Sequence, residues 1–385
     1  TPLKSVKKLG PGEAMLVTNG AVTNRWKWFQ LPIFGSPAQS MSSADAIQGV
    51  RVKLRQAVQK QLISDVPVGA FLSGGLDSSA IVAMAREFNP DIRCFTIALE
   101  GGDEKGVTTD SPYAQAAAKQ LQVPLDIVTV DAHSMADDLT SMVLQLDEPL
   151  ADPACLNARY ISALARRSGI KVLLSGVGGD DLFTGYRRHR ALDLERWWRW
   201  LPKSMRLAMQ KKILGLDQAH PLTRKLSKLL SGAGMAGDSN IANYFLWASE
   251  DILTSLYSPT ILSEIDISSA KEPMLDFLDS LESINPLERM LALEQRFFLA
   301  DHNLNYTDKM SMAEGVEVRV PFLDPDLMKF AARIPMKFKQ RGATGKWVLK
   351  KAMEPYLSKD IIYRSKTGFG APLRRWIKVE LRELL

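Results

Sequence analysis

Two short runs carry residue types that handle charge. The first, Phe71-Leu-Ser-Gly-Gly-Leu-Asp-Ser-Ser79, lies between an apolar run and a helix-like stretch. Ser73, Gly74 and Gly75 let backbone amides converge, a helix predicted to start near Ser78 adds its positive end, and the hydroxyls of Ser73, Ser78 and Ser79 supply further donors. Such a turn grips an oxyanion. Asp77 inside it would repel a bare phosphate, so its presence calls for a magnesium ion between the two. The second run reads Leu174-Ser-Gly-Val-Gly-Gly-Asp-Asp-Leu-Phe-Thr-Gly-Tyr186. Its glycines permit close backbone approach, and two carboxylates converging on one magnesium ion suit triphosphate chemistry. Read alone, either run also fits a helix cap. Neither is a Walker loop, because no GxxxxGKS or GxxxxGKT occurs.

The surrounding pattern says what must position these loops. Residues 13 to 29 read as a hairpin around Asn19-Gly20, and Gln30 to Ser43, rich in Pro, Ser and Gly, read as a linker. From Ala44 onward helices and strands alternate: a helix to about Leu62, an apolar strand Val66 to Leu72, a helix Ser78 to Phe88, strands Arg93 to Leu99 and Leu125 to Val130 around a helix Pro112 to Leu121, helices over 134 to 146 and 154 to 168, and a strand Lys171 to Ser175. That alternation predicts a parallel sheet covered on both faces, with chemistry at the carboxyl ends of the strands. Beyond Tyr186 helices dominate, and Trp197, Trp198 and Trp200 read as helix packing rather than a platform for stacked bases.

Composition excludes several classes. Hydrophobic residues make up 46% and charged residues 24%, which is neither a disordered, a collagen-like nor a membrane-spanning composition. Length alone, 385 residues, suggests two or three units at roughly 150 residues each. Two cysteines, Cys94 and Cys155, and four histidines give a zinc site or a disulfide framework little to be built from, so a reducing, cytoplasmic setting is expected. The net charge of +6 concentrates in residues 337 to 385, where 13 Lys/Arg face 4 Asp/Glu. A polyphosphate ligand accounts for that cluster, and neither a nucleic-acid nor a membrane partner is expected. The chain begins at Thr1 without a methionine and stops within the amphipathic stretch WIKVELRELL, which reads as a fragment.

The first run resembles the pyrophosphate loop of the PP-loop ATP pyrophosphatases, whose SGGxDS signature holds the β,γ-phosphates and leaves the α-phosphorus open to attack. Together with Asp308-Lys-Met-Ser-Met-Ala-Glu-Gly-Val-Glu-Val-Arg-Val-Pro-Phe-Leu-Asp324 and Arg364-Ser-Lys-Thr-Gly-Phe369, the two loops resemble the synthetase domain of glutamine-hydrolysing asparagine synthetases, in order from about residue 46 to 376. The resemblance implies an α/β fold with a doubly wound parallel sheet of the PP-loop type, a large helical C-terminal half and a short N-terminal β remnant. It divides the chain into 1–32, the end of a glutaminase (class II amidotransferase) domain; 33–45, a linker; and 46–385, the ATP-dependent synthetase domain. It also implies ATP and magnesium, with a carboxylate adenylated and the acyl group passed to ammonia, which a glutaminase domain could derive from glutamine; aspartate is the usual acid. By the same resemblance Leu72, Ile97, Ser175 and Gly176 line an adenosine pocket, Asp77 and Asp180 bind the metal, and Lys346, in Thr344-Gly-Lys-Trp347, is the catalytic lysine. A compact ammonium there would stabilise charge building on the α-phosphate.

Other residues stay open. Lys309, Arg364 and Lys366 read either as phosphate or substrate contacts or as members of ion pairs. Glu317 and Arg319 alternate with valines like the wet face of an extended segment, and Glu148 and Asp152 match a family signature without a role evident from their chemistry. Val177 stands where the family commonly has an acid, and a valine can neither accept a proton nor pair with an ammonium. A different acid, such as a uronic acid in surface-polysaccharide synthesis, therefore competes with aspartate, as does nucleotide binding without turnover. A tRNA-modifying PP-loop enzyme would need a catalytic cysteine pair or an RNA-binding appendage, neither of which is evident. The resemblance leaves room for a homodimer.

Overall fold

The computed structural model describes residues 3, 5–32, 41–100, 110–217, 220–283, 285–364, 379 and 382. An antiparallel hairpin, β1 (Glu13–Thr18) and β2 (Ala21–Lys27), comes first; it turns at Asn19-Gly20, both in positive φ, as the sequence predicts. Its side chains are almost all exposed. Most of the predicted linker, residues 33–40, lies outside the described residues.

Helix α1 (Ser43–Gln61) starts where the Ser42 hydroxyl accepts the Asp45 N–H. Ala46, Val50, Leu54, Ala57 and Val58 fall on one face and are fully buried. Each large member of such a face contributes about 1.5–3 kcal/mol by leaving water. The sheet then builds from β3 (Val68–Phe71), α2 (Leu76–Ala85), β4 (Cys94–Leu99), α3 (Ser111–Leu121) and β5 (Leu125–Val130). Helices α4 (Ala132–Asp137) and α5 (Leu139–Gln145) replace the single predicted helix over 134 to 146, because the chain breaks at Asp138. After α6 (Ala154–Arg167) come β6 (Val172–Leu174), α7 (Gly179–Phe183) and, much later, β7 (Glu317–Arg319).

All five strands are parallel, in the order β5-β4-β3-β6-β7. Successive side chains enter opposite layers: Val172 and Leu174 pack with α1, α2 and α3, while Leu173 packs with α5, α6 and the helix Asn305–Ala313. The chain winds outward from β3 to β5, then returns to place β6 on the other side of β3. The winding therefore reverses between β3 and β6, and the carboxyl ends of the strands at such a reversal are where open sheets of this kind bind ligands. Cys94 and Cys155 are buried in opposite layers, and burial pushes both thiols up to about 12, which favours the thiol over the thiolate.

Glu317 and Arg319 lie on an extended segment, as their alternation with valines predicts, and that segment joins the sheet: β7 pairs with β6 and forms its edge. Arg319 donates to the carbonyls of Gln61 and Ile63, tying that edge to the end of α1. Among the described residues no helix is long and apolar enough to cross a membrane.

Candidate active site

Both glycine-rich runs sit at the reversal point, one after β3 and one after β6. Helix α2 starts earlier than predicted, at Leu76 with Gly75 as its cap, so Asp77 lies in its first turn. The Ser73 N–H donates to Ser78 Oγ at 3.2 Å, and the two hydroxyls lie 3.0 Å apart, which closes the turn on itself. Gly74 has φ +69°, and a Cβ there would fall 2.2 Å from the Tyr113 carbonyl carbon, so both conformation and space demand glycine. Ser79 is fully buried and its hydroxyl has no hydrogen-bond partner among the described residues.

The second loop presses against the first. A Cβ at Gly176 would lie 2.6 Å from the Ser78 nitrogen, and one at Gly179 2.6 Å from Asp77 Oδ1. These glycines let the loops touch, which brings Asp77 and Asp180 together. Both carboxylates reach the same partner: the Lys346 ammonium pairs with Asp77 and, at 2.6 Å, with Asp180 Oδ1. Lys346 is 7% exposed. Burial works against its charge, but Asp180 and Asp77 outweigh that and hold the ammonium above the usual lysine range.

The backbone that delivers Lys346 is strained. Lys346 has φ +55°, and its N–H donates to the Phe183 carbonyl at 2.8 Å. Thr184, which ends α7, has φ +64°, uncommon for a β-branched residue. Gly345 passes so close that a Cβ there would lie 2.2 Å from the Thr184 oxygen. Two non-glycine residues in the left-handed region therefore meet where the lysine enters the site, at about 1–2 kcal/mol each.

A second tier of contacts holds the loop after β6. The Tyr186 hydroxyl faces Asp181 Oδ2 at 3.4 Å and accepts from Asn303 Nδ2 at 3.1 Å; Asn303 Oδ1 lies 2.9 Å from His302 Nδ1, and His302 Nε2 lies 3.1 Å from Asp152. Burial, then the charges of Asp181 and Asp180, push the Tyr186 phenol well up, which keeps it a protonated donor. Asp152 also accepts the Ala154 N–H at the start of α6. It thus links α6 to the loop through His302, a role invisible in the sequence because the partners are about 150 residues apart.

The other candidates divide. Arg364 reaches the first loop: it donates to the Ser73 carbonyl at 3.2 Å, pairs with Asp110 at 2.7 Å and stacks 3.6 Å above the Tyr113 ring. Lys309 pairs with Asp147 and forms no hydrogen bond or ion pair with either loop among the described residues. Leu72 and Ile97 are buried in opposite layers of the core. Ser175 takes the Arg319 carbonyl through its N–H and the Val177 N–H on its hydroxyl. Glu148 pairs with Lys8 at 2.6 Å. Asp324 caps the helix Pro325–Arg333 and pairs with Lys60, so the Pro-Phe-Leu-Asp motif supports the scaffold. Lys366 lies outside the described residues.

The donor set suits a magnesium ion, since Asp77 and Asp180 already converge on one cation, the ammonium. Among the described residues no group of three or more His, Cys, Asp or Glu could hold a metal. Such an ion would complete its oxygen shell with phosphate and water, as magnesium usually does.

Residues 49–385 match the asparagine synthase family model. The chain is similar to asparagine synthetase [glutamine-hydrolyzing] 1 of Bacillus subtilis, 30% identical over 98% of this chain and 57% of that protein. It is also similar to amidase chyE of Penicillium rubens, 26% identical over 87% of this chain and 54% of that one. The chain thus spans about half the length of the curated relatives it matches. Among solved structures it is similar to NMN synthetase from Francisella tularensis, 13% identical over 69% of this chain and 97% of that one, at a TM-score of 0.29.

Proposed function

The chain belongs to the asparagine synthase family, and from that premise we propose that it forms amides in two steps on ATP. A substrate carboxylate oxygen attacks the α-phosphorus and pyrophosphate leaves; ammonia then attacks the acyl carbon, AMP leaves, and the nitrogen sheds a proton. The observation that carries this reading is the meeting of Asp77, Asp180 and Lys346 between two glycine loops at the sheet's reversal point. The loop after β3 would hold the β,γ-phosphates, with the Ser79 hydroxyl the one buried side-chain donor there without a partner among the described residues. Asp77 and Asp180 would hold magnesium, which neutralises phosphate charge. Lys346 would face the α-phosphate, where an ammonium favours the transition state over the ground state. Residues 1–32 would belong to a glutaminase domain and 46–385 to the synthetase, with ammonia free or derived from glutamine.

Aspartate is the first candidate acid. Val177 favours a second reading, in which another carboxylate is amidated, because a half-buried valine in the loop after β6 gives a substrate α-ammonium no partner. Pyrophosphate release measured with ATP, magnesium and ammonia across a panel of acids separates them. Release that depends on aspartate supports asparagine formation; release with a uronic or other acid alone supports the alternative; no AMP with any acid overturns both.

Arg364 supplies a further test. Arg364→Lys keeps the charge but loses the planar fork and the stack on Tyr113, so the Ser73 turn loosens. Affinity for ATP, read by titration calorimetry, is expected to fall about tenfold, the scale of one charge-assisted hydrogen bond. Unchanged affinity would remove the arginine from any role in shaping the loop.

A further inference from the structure

The three tryptophans expected to pack inside the helical half do not all do so: Trp197 is 69% and Trp200 76% exposed. They begin a cationic stretch. From Arg196 to Lys228 the chain carries nine Lys/Arg against one acid, Asp217; Arg196 and Arg199 pair with Asp193 and Glu195 just before it, which leaves seven cations to that one acid. The slightly acidic balance of everything before residue 337 conceals this, because acidic residues elsewhere cancel it. The helix Lys203–Leu214 has no buried residue and exposes Met205, Leu207, Met209 and Leu214. In the helix Pro221–Leu229, Leu222 and Leu226 lie four apart on one face, 62% and 45% exposed, with the exposed cations Lys225 and Lys228 beside them.

We propose that this face, from Trp197 to Lys228, docks on an anionic lipid bilayer surface. Exposed Trp and Leu side chains rimmed by lysine and arginine match a headgroup layer, where apolar groups enter the acyl boundary and cations meet lipid phosphates. Charge decides among the occupants. A second copy of the chain would bring two cationic surfaces together, which repels. A nucleic acid would satisfy the cations but give Leu222 and Leu226 nothing to bury against. A bilayer satisfies both. Composition excludes a chain that spans the membrane, not one that lies on it, so the expectation of no membrane partner is revised at this face alone.

The test is co-sedimentation of the whole chain with large unilamellar vesicles, of phosphatidylcholine alone and of phosphatidylcholine mixed with phosphatidylglycerol. Binding to the mixed vesicles only, weakening as salt is raised, is the expected result. Leu222→Ser with Leu226→Ser, and separately Trp197→Ala with Trp200→Ala, are expected to lower partitioning roughly tenfold with the melting temperature unchanged. These side chains are exposed, so loss of binding would not be loss of fold. Four outcomes overturn the proposal: no binding to anionic vesicles at low salt; equal binding to neutral ones; binding indifferent to both double variants, which would assign it to the cationic residues beyond 337; or self-association or nucleic-acid binding that the same variants abolish in place of vesicle binding.

Discussion

Lys346→Ala is expected to lower the rate of AMP formation about 10²–10³-fold, the scale of losing one preorganised charge at a developing oxyanion. The KM for ATP should change far less, since the lysine acts where charge grows rather than where the nucleotide rests. The apparatus is a steady-state pyrophosphate assay, and a variant whose KM rises while kcat holds would make Lys346 a binding residue only. Lys346→Arg should not restore the rate, because a planar guanidinium does not fit a position shaped by two carboxylates and a close glycine. The same variant carries a second signature. Removing the ammonium takes from Asp77 and Asp180, 18% and 15% exposed, the cation that they share. Stability should fall by up to about 3 kcal/mol, as when one partner of a largely buried ion pair is removed. Magnesium should return much of it, because a divalent ion can take the place of the ammonium. Melting curves with and without magnesium check this, and a melting temperature indifferent to the ion would separate the carboxylates from metal binding. Alanine keeps the strained φ of the lysine, so backbone relief does not confuse the comparison.

The sequence exposes the parts of this site that are local. Ser73 to Ser79 and Ser175 to Asp181 each follow a short apolar run, and strand ends are where a doubly wound sheet puts its ligands, so both loops could be placed. What could not be read is what depends on distant residues meeting. Thr184 and Lys346 share one strained junction although 162 positions separate them, and only the folded chain shows that the lysine's N–H ends on Phe183. The extended character of Glu317 to Arg319 shows in its alternation with valines, but its place beside β6 depends on pairing with a strand about 145 positions earlier. The exposed tryptophans were misjudged for a different reason. Aromatic residues in a helical stretch usually mark a core, and only the exposure of Trp197 and Trp200 among the described residues reveals the exception. Arg364 could be named from its charge, but its grip on Ser73 and its stack on Tyr113 are tertiary facts.

Gly185 is the residue whose importance composition hides most completely, and its substitution gives the second large effect. It ends the loop after β6, and a Cβ on it would fall 1.5 Å from Asp180 Oδ1 and 2.2 Å from Lys346 Cε. Its φ is not positive, so alanine costs the backbone little. Gly185→Ala should therefore push apart the carboxylate and the ammonium that the site depends on, while the scaffold stands. A displacement near 1 Å at reacting groups costs roughly 10²-fold in rate. Gly169 supplies the converse: its φ is +81° with nothing within 4 Å of a Cβ, at the turn between α6 and β6. Gly169→Ala should lose about 1–2 kcal/mol of stability to backbone strain and keep its activity. Measuring the melting temperature and AMP formation on both variants crosses the two effects. If Gly185→Ala retains full activity, the Asp180–Lys346 contact is not the arrangement that works during turnover. If both variants lose activity in proportion to stability, close approach at Gly185 serves folding rather than chemistry.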